Sequence, residues 1–290
     1  MNRAKLGDRF RVDSARRFRL DDFDAAETAG FTKPAADRMV AKHALRLADL
    51  QERLYAENSW ALLIILQGVD AAGKDGVIKH VMAGLNPLGC AVHPFKTPTA
   101  DELAHDFLWR AAFRLPPRGD IGIFNRSYYE EVLIVRVHED LLEKQRLPAK
   151  LVTRRLWKER FADINAFERH LVRNGTLVVK FHLRISRQEQ KRRLLARLDE
   201  PAKRWKFSPQ DLLERKLWDR YMDAYADMIR NTSTRAAPWY VVPSDNKWFA
   251  RLVVSSVIVN ALERLDLAFP KFDRAALRSM TRMRRALEAE

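Results

Sequence analysis

The sequence predicts an α/β fold: a central parallel sheet wound with helices on both faces, three layers in all. Short apolar runs at 62–66, 121–124, 176–181 and 239–242 alternate with longer helical stretches, the pattern of strands buried on both faces. The first of these runs passes at once into the glycine loop Gly68-Val69-Asp70-Ala71-Ala72-Gly73-Lys74-Asp75-Gly76, which opens onto a helical stretch. Strand, glycine loop and helix in that order make a phosphate-binding loop. No Pro/Gly/Ser-rich linker divides the 290 residues, a length that one α/β domain with appendages fills.

Each element has its own signal. Residues 1–34 are charged and weakly periodic, end at Thr32-Lys33-Pro34, and read as an N-terminal arm that is extended. From 35 to 58 the spacing of Met39, Leu45, Leu47, Leu50 and Leu54 suits an amphipathic helix leading into the strand Leu62 to Leu66. Lys74 begins a helix that runs to about Leu85, and Ala91 to Phe95 reads as the next strand. A helix over Asp101 to Arg114 is capped by Thr99 and stopped by Pro116-Pro117. After the strand Ile121 to Phe124 comes a long helix, Leu151 to Arg173, closed by Asn174-Gly175 before the strand Thr176 to Phe181. A helix from Pro209 to Arg230, the strand Trp239 to Val242 and a helix to Leu265 complete a domain spanning 35–270. The tail, 271–290, is a basic amphipathic helix suited to packing or assembly. There is no internal repeat.

Composition narrows the partners. A formal charge of +15 and a pI near 10.1 call for an anion: nucleic acid, an acidic membrane or a polyanionic substrate. The aromatic spacing of a base-stacking surface is not evident, which disfavours nucleic acid. The longest apolar runs fall short of a membrane span. The N-terminus, with Arg3, Lys5, Arg9 and Arg11, lacks an apolar signal core. A cytoplasmic protein without membrane attachment is expected. Cys90, the single cysteine, excludes an internal disulfide and reads as a small core hydrophobe at a strand start.

The glycine loop carries the chemistry. Gly68, Ala71, Ala72, Gly73 and Gly76 let backbone N–H groups converge on phosphate oxygens at a helix N-terminus, and Lys74 supplies a point charge. Where the standard loop has a Ser or Thr whose hydroxyl holds Mg²⁺, this chain has Asp75. Asp70, an acid inside the loop, offers a replacement carboxylate that can hold the ion or orient the attacking group. The strand Ile121 to Phe124 ends at Asn125, whose carbonyl oxygen can coordinate without charge; Asp120 lies at the wrong end of that strand. Arg126 follows the strand end and can clamp phosphate oxygens with a planar fork. Tyr129 and Glu130 join Asn125 as nucleotide-binding candidates; Glu130 and Glu131 are both placed for a further contact to metal or nucleotide, and both read equally as an exposed acidic helix start. Lys79 and Lys96 are further phosphate candidates. The basic stretch from Arg187 to Lys206 puts Arg193 and Arg197 on one helical face, as a lid over phosphates would, with its limits at about 187–210. Together these residues give a P-loop kinase-like reading with a helical lid.

With those residues in place, the chain resembles the polyphosphate kinase 2 family. The resemblance runs from about Lys42 to Leu265 through Gly68 to Gly76, Asn86-Pro87, Ala104-His105-Asp106, Phe124 to Tyr129, Trp205-Lys206-Phe207, Trp218-Asp219-Arg220-Tyr221 and Asp245-Asn246-Lys247-Trp248. The stretch Phe124 to Leu133 is similar to class III members, which phosphorylate both AMP and ADP. The resemblance implies reversible transfer of the terminal phosphoryl group of inorganic polyphosphate to ADP or GDP, and to AMP or GMP. It implies Mg²⁺, with Mn²⁺ as an alternative, at Asp70 and Asn125. It makes Asp70, Lys74 and Arg126 the catalytic residues and places lid arginines within Arg187 to Arg197. It brings nucleotide and polyphosphate in from opposite sides of the loop, and a homo-oligomer, dimer or tetramer, is the expected assembly. Many members carry Asp where this chain has Asn125, which leaves the second metal ligand open. A polyphosphate channel accounts for the charge, since its binding releases counterions and weakens with salt. Two other readings stand beside it. One is an ATP-dependent nucleoside monophosphate kinase of the thymidylate or adenylate type, against which Asp75 argues; the other is a basic nucleic-acid-binding NTPase.

Overall fold

The computed structural model describes residues 3–13 and 17–290. Its five strands are all parallel: β1 (Ala61–Gln67), β2 (Cys90–Pro94), β3 (Ile121–Asn125), β4 (Thr176–Arg184) and β5 (Trp239–Pro243), in the spatial order β2-β3-β1-β4-β5. All seven residues of β1 are buried, which is why it reads as an unbroken apolar run. Leu62, Ile64 and Leu66 face one helical layer, Lys33–Glu57 and Lys247–Glu263, while Leu63 and Ile65 face the other, Leu156–Arg173 and Trp218–Thr232. The period of two along β1 thus feeds both cores. Chain connections turn outward on either side of β1, so the crevice for a ligand opens at its carboxyl end.

The helix Lys247–Glu263 is apolar nearly all round because it is covered nearly all round. The segment before Thr32 supplies part of that cover and is not an extended arm. Arg3–Asp8 is a helix whose Gly7 lies against Val257, and Leu6, Phe10, Val12, Phe18 and Leu20 are buried. Val12 N–H donates to the Trp239 carbonyl (2.9 Å) and Val241 N–H to that of Phe10 (2.8 Å), closing the open edge of β5. The buried side chains of this segment follow no single period, so the sequence pattern missed them.

Two expected helices are broken. The span 101–114 is two short turns, Ala100–Leu103 and Trp109–Ala112. Thr99 does cap the first in a reciprocal pair with Glu102, but the Asp106 carboxylate then takes the Leu108 N–H (2.9 Å) and competes with the helical ladder. The span 209–230 divides into Gln210–Lys216 and Trp218–Thr232. The short first half turns over the lid helix, where Arg215 donates to the Arg187 carbonyl (2.9 Å) and to Gln190 Oε1 (2.7 Å). The helix expected to reach Leu85 stops at Val81. Cys90 begins β2, half-buried against the core. The tail helix Arg274–Leu287 buries no residue. Among the described residues no helix is long and apolar enough to cross a membrane.

Beneath the sheet lies a buried polar cluster. Lys180 Nζ donates to Glu168 Oε2 (2.6 Å), to the Tyr129 hydroxyl (2.9 Å) and to the Thr232 carbonyl (2.8 Å), and the ion pair is 0% and 1% exposed. The hydroxyls of Tyr128 and Tyr129 donate to Glu168 Oε1. Leaving one buried charge alone costs more than the pair returns. Lys180→Met is therefore expected to lower unfolding free energy by about 3–5 kcal/mol in urea titration. Adding Glu168→Gln, which still accepts from both tyrosines, should recover part of that loss.

Candidate active site

The loop owes its shape to two glycines and one arginine. A Cβ on Gly68 would lie 2.9 Å from the Leu183 carbonyl oxygen, so β4 can approach only a glycine there. Gly73 takes φ +110 as the N-cap of the helix Lys74–Val81, a conformation costly for any other residue. From the lid helix, Arg193 reaches under the loop. Its Nη1 donates to the carbonyls of Ala71 (2.8 Å) and Ala72 (2.9 Å), Nη2 to those of Ser244 and Asp245, and Nε to Glu189 (2.7 Å). The lid helix is tied again by Gln190 Nε2 to the Asp70 carbonyl (3.1 Å).

Lys74 is buried, with Nζ on the carbonyl of Gly68 (2.6 Å). Burial, and then the charge of Arg126, push its pKa down to about 8 despite Asp70, Glu130 and Asp75 nearby. The ammonium is present at neutral pH and lost just above it. Across the loop, Asn125 Nδ2 donates to Asp75 Oδ1 (2.8 Å), an amide answering the acid that replaces the usual hydroxyl. Arg126 sits at φ +64, a left-handed backbone that aims its guanidinium back over the loop at a cost of about 1 kcal/mol or more. Its Nη2 donates to Asp70 Oδ1 (2.8 Å) and its Nη1 to Glu130 Oε2 (3.5 Å). Glu130 first, and Asp70 with it, hold the guanidinium above the ordinary arginine range in spite of burial.

Two cavities meet at this pair, for Asp70 and Arg126 line both. The larger, about 740 Å³, runs along the loop from Ala71 to Gly76 and Asn125, and is walled by Lys74, Lys96, Arg192, Arg197, Lys203, Lys206, Lys247 and Arg251 against only Asp70, Asp75 and Glu200. The smaller, about 280 Å³, holds Gly68, Glu130, Gln190, Asp211 and Glu214 beside Leu133, Ile134, Trp218, Tyr221 and Tyr225, with Arg126 the single Lys or Arg of its lining. Burial pushes the Glu214 carboxyl up, but hydrogen bonds from Tyr221, His138 and Gln210 outweigh it and leave the group below the usual carboxylate range.

Three expected site residues line neither cavity, and a fourth lines one with its donors already engaged. Tyr129 is fully buried and spends its hydroxyl on Glu168 and Lys180, away from any nucleotide. Lys79 and Arg187 are exposed and line neither cavity. Arg193 touches the large cavity, but carbonyls and Glu189 take its donors, so it shapes the loop and is not free to grip phosphate. Arg197 does line the large cavity, paired with Asp211 (2.6 Å). Sequence reasoning missed Lys247 and Arg251, one turn apart on the helix that leaves β5. Their position after a strand end was a readable signal. It also missed Gln190, Asp211, Glu214, Trp218, Tyr221 and Tyr225, which converge only because the helix near Leu217 breaks.

A parallel sheet, a lid and a phosphate loop with an internal acid define a phosphotransferase of the phosphate-loop kinase type. Residues 31–270 match the family model described as Polyphosphate kinase 2, and the chain belongs to that family. An ADP-polyphosphate phosphotransferase of Rhodopseudomonas palustris is 53% identical over 243 residues, covering 83% of this chain and 84% of the relative. An AMP/ADP-polyphosphate phosphotransferase of Meiothermus ruber is 45% identical over 270 residues, covering 92% and 97%. The crystal structure of Polyphosphate Kinase 2 from Arthrobacter aurescens TC1 superposes with a TM-score of 0.85 at 43% identity, covering 97% of this chain and 96% of that one.

Arg193→Ala is expected to cost about 3 kcal/mol of stability in a thermal or urea melt and to lower turnover with it. Lys in its place should rescue little, because an ammonium cannot fork to two pairs of carbonyls. The pKa of Lys74 sets a second expectation. Its folded value is lowered, so its charge is complete below pH 7 and is lost as pH rises through about 8. The kcat/KM for the anionic donor should fall along that limb, and the kcat limb should lie higher, because bound phosphate favours the ammonium. Lys74→Arg should remove the limb in a pH-rate profile.

Proposed function

We propose that this chain transfers the terminal phosphoryl group of inorganic polyphosphate to ADP and to AMP, with guanine nucleotides as further acceptors, and runs in either direction. The observation that carries this reading is the pair of unlike cavities joined at Asp70 and Arg126. A chain of phosphates suits the cation-lined cavity along the loop, and a nucleoside suits the smaller one with its aromatic and hydrogen-bonding wall. The two named relatives act on ADP and on AMP/ADP. ATP-dependent phosphorylation of a monophosphate needs no second cavity so rich in cations, and a nucleic-acid site would pair its cations with base-stacking rings, of which the lining of the larger cavity has Phe95 alone.

In this arrangement a nucleotide phosphate oxygen attacks the terminal phosphorus in line; the new P–O bond forms as the bridging P–O bond to the rest of the chain breaks. Lys74 and Arg126 neutralise the transferring group, and loop N–H groups receive its oxygens. Arg197, Lys203, Lys206 and Lys247 hold the chain that leaves one unit shorter. Asp70, at the junction, orients the attacking phosphate through Arg126. Since the acceptor is already anionic, no strong base is required.

Among the described residues no three His, Cys, Asp or Glu side chains converge on a metal-sized space, so the protein alone forms no cage. The donor set suits an ion that substrate phosphates help to hold: Asp70 offers a carboxylate, and Asn125, with Nδ2 engaged by Asp75, offers a carbonyl oxygen. Mg²⁺ or Mn²⁺ held there would add positive charge to the site at which the phosphoryl group is transferred. Residues 35–270 would form the catalytic unit, the lid within about 187–210, and assembly as a dimer or tetramer is part of the same proposal.

With Mg²⁺, ADP and long-chain polyphosphate but no other phosphoryl donor, the purified protein should form ATP in a luciferase assay. Asp70→Ala and Lys74→Ala should each lower that rate about 100–1000-fold. Absence of ATP from the wild-type chain would overturn the reading, and wild-type rates in both variants would overturn the site.

A further inference from the structure

The smaller cavity is acidic in a protein that is strongly basic. Asp70, Glu130, Asp211 and Glu214 line it, and Arg126, shared with the larger cavity and already paired to Asp70 and Glu130, is its one Lys or Arg. A site that must receive a nucleotide phosphate gains nothing in affinity from such a wall. Two of these acids lie outside the chemistry described above. Glu214 is fixed from three sides, by His138 Nε2 (2.8 Å), the Tyr221 hydroxyl (2.6 Å) and Gln210 Nε2 (2.6 Å), and among the described residues has no Lys or Arg partner. Asp211 has one, Arg197, at 2.6 Å, but Arg197 lines the donor cavity. A phosphate chain there competes for that guanidinium, and the Asp211 charge is then turned on the acceptor side.

Carboxylates accept hydrogen bonds and donate none. A nucleoside brings donors to such a wall, through its ribose hydroxyls and, for purines, its ring or amino N–H groups. Polyphosphate brings only charged acceptors. Resting on the proposed function, we infer that Asp211 and Glu214 are specificity-determining residues that keep polyphosphate out of the acceptor cavity. The lid and the helix Gln210–Lys216 that turns over it thereby carry opposite selectivities: Arg197 and Lys203, in the lid, admit the chain on one side, and Asp211 and Glu214, on that helix, exclude it on the other. Discrimination of this kind works by penalising the wrong occupant more than by rewarding the right one. It matters here because donor and acceptor both present phosphates to one loop.

The test is the inhibition pattern in the ATP-forming assay. In the wild-type chain, polyphosphate should saturate without competing with ADP, and inorganic tripolyphosphate should compete with polyphosphate but not with ADP. In Asp211→Asn and in Glu214→Gln, polyphosphate and tripolyphosphate should become competitive with ADP, with inhibition constants lowered by about 5-fold to 1000-fold, the span of one like-charge contact from bulk-water to near-surface screening. Asp211→Glu should restore the wild-type pattern. Thermal melts identify a variant that has lost its fold, and the tripolyphosphate arm on the wild-type chain tests the inference whether or not a variant folds. Competition of tripolyphosphate with ADP in the wild type would overturn it. So would folded variants whose loss of rate is restored by raised Mg²⁺ with no change in pattern, which would make these acids metal or structural groups. A wild-type chain that makes no ATP would instead overturn the function on which the inference rests.

Discussion

One guanidinium holds the site together. Arg193 joins the phosphate loop at Ala71 and Ala72, the chain leaving β5 at Ser244 and Asp245, and its own lid helix through Glu189. The carbonyls of Ala71 and Ala72 point toward it; the Ala72 N–H closes the loop's own turn onto the Val69 carbonyl (3.1 Å), and the Gly73 N–H, opposite the Ala72 carbonyl, is turned away from Arg193. A phosphate loop needs its backbone dipoles fixed before the anion arrives, and here a buried cation beneath the loop fixes them. The same contact makes the base of the lid part of the site's floor.

Charge is then sorted about that framework. The basic excess of the chain is concentrated along the larger cavity, on the lid and on the helix after β5, while the smaller cavity gathers carboxylates and aromatic rings. Asp70 and Arg126 stand where the two environments meet, each the other's partner. The left-handed backbone at Arg126 is the conformational cost of bringing a cation from the end of β3 to that junction. Asp75 and Asn125, the two departures from the usual loop chemistry, answer each other by a hydrogen bond. They form a local exchange of hydroxyl and acid for acid and amide, with no orphaned charge.

The sheet was legible because parallel strands buried on both faces leave contiguous apolar runs, and the loop because its spacing is set by the backbone geometry of phosphate binding. That Asp70, Lys74 and Arg126 would share one crevice was legible for the same reason: each is placed by its offset from a strand end. Tyr129 was misread because residues immediately after a strand end look alike whether they turn toward the cleft or into the core; a 3-10 turn from Tyr128 to Val132 sends this ring inward to Glu168. Arg193 was read as a phosphate ligand because residue type and helical face do not say whether a guanidinium meets substrate or carbonyl oxygens. The acceptor wall was invisible, since Asp211, Glu214 and Tyr221 look like an ordinary charged helix surface until the chain bends at Leu217. The N-terminal residues lacked periodicity because they pack as a strap and not as a regular element.

That strap has a consequence for how the protein is made. Val12 and Ser233, which it brings into hydrogen-bond contact, are 221 residues apart in sequence, and the edge it closes belongs to the last strand of the sheet. At ordinary rates of synthesis, roughly 10–45 s separate the appearance of the two partners. Throughout that interval Phe10 and Val12 have no β5 to cover and no place to be buried. Phe10 and Val12 thus emerge long before the strand they cover, and the sheet cannot be completed until Pro243 at the end of β5 has been translated.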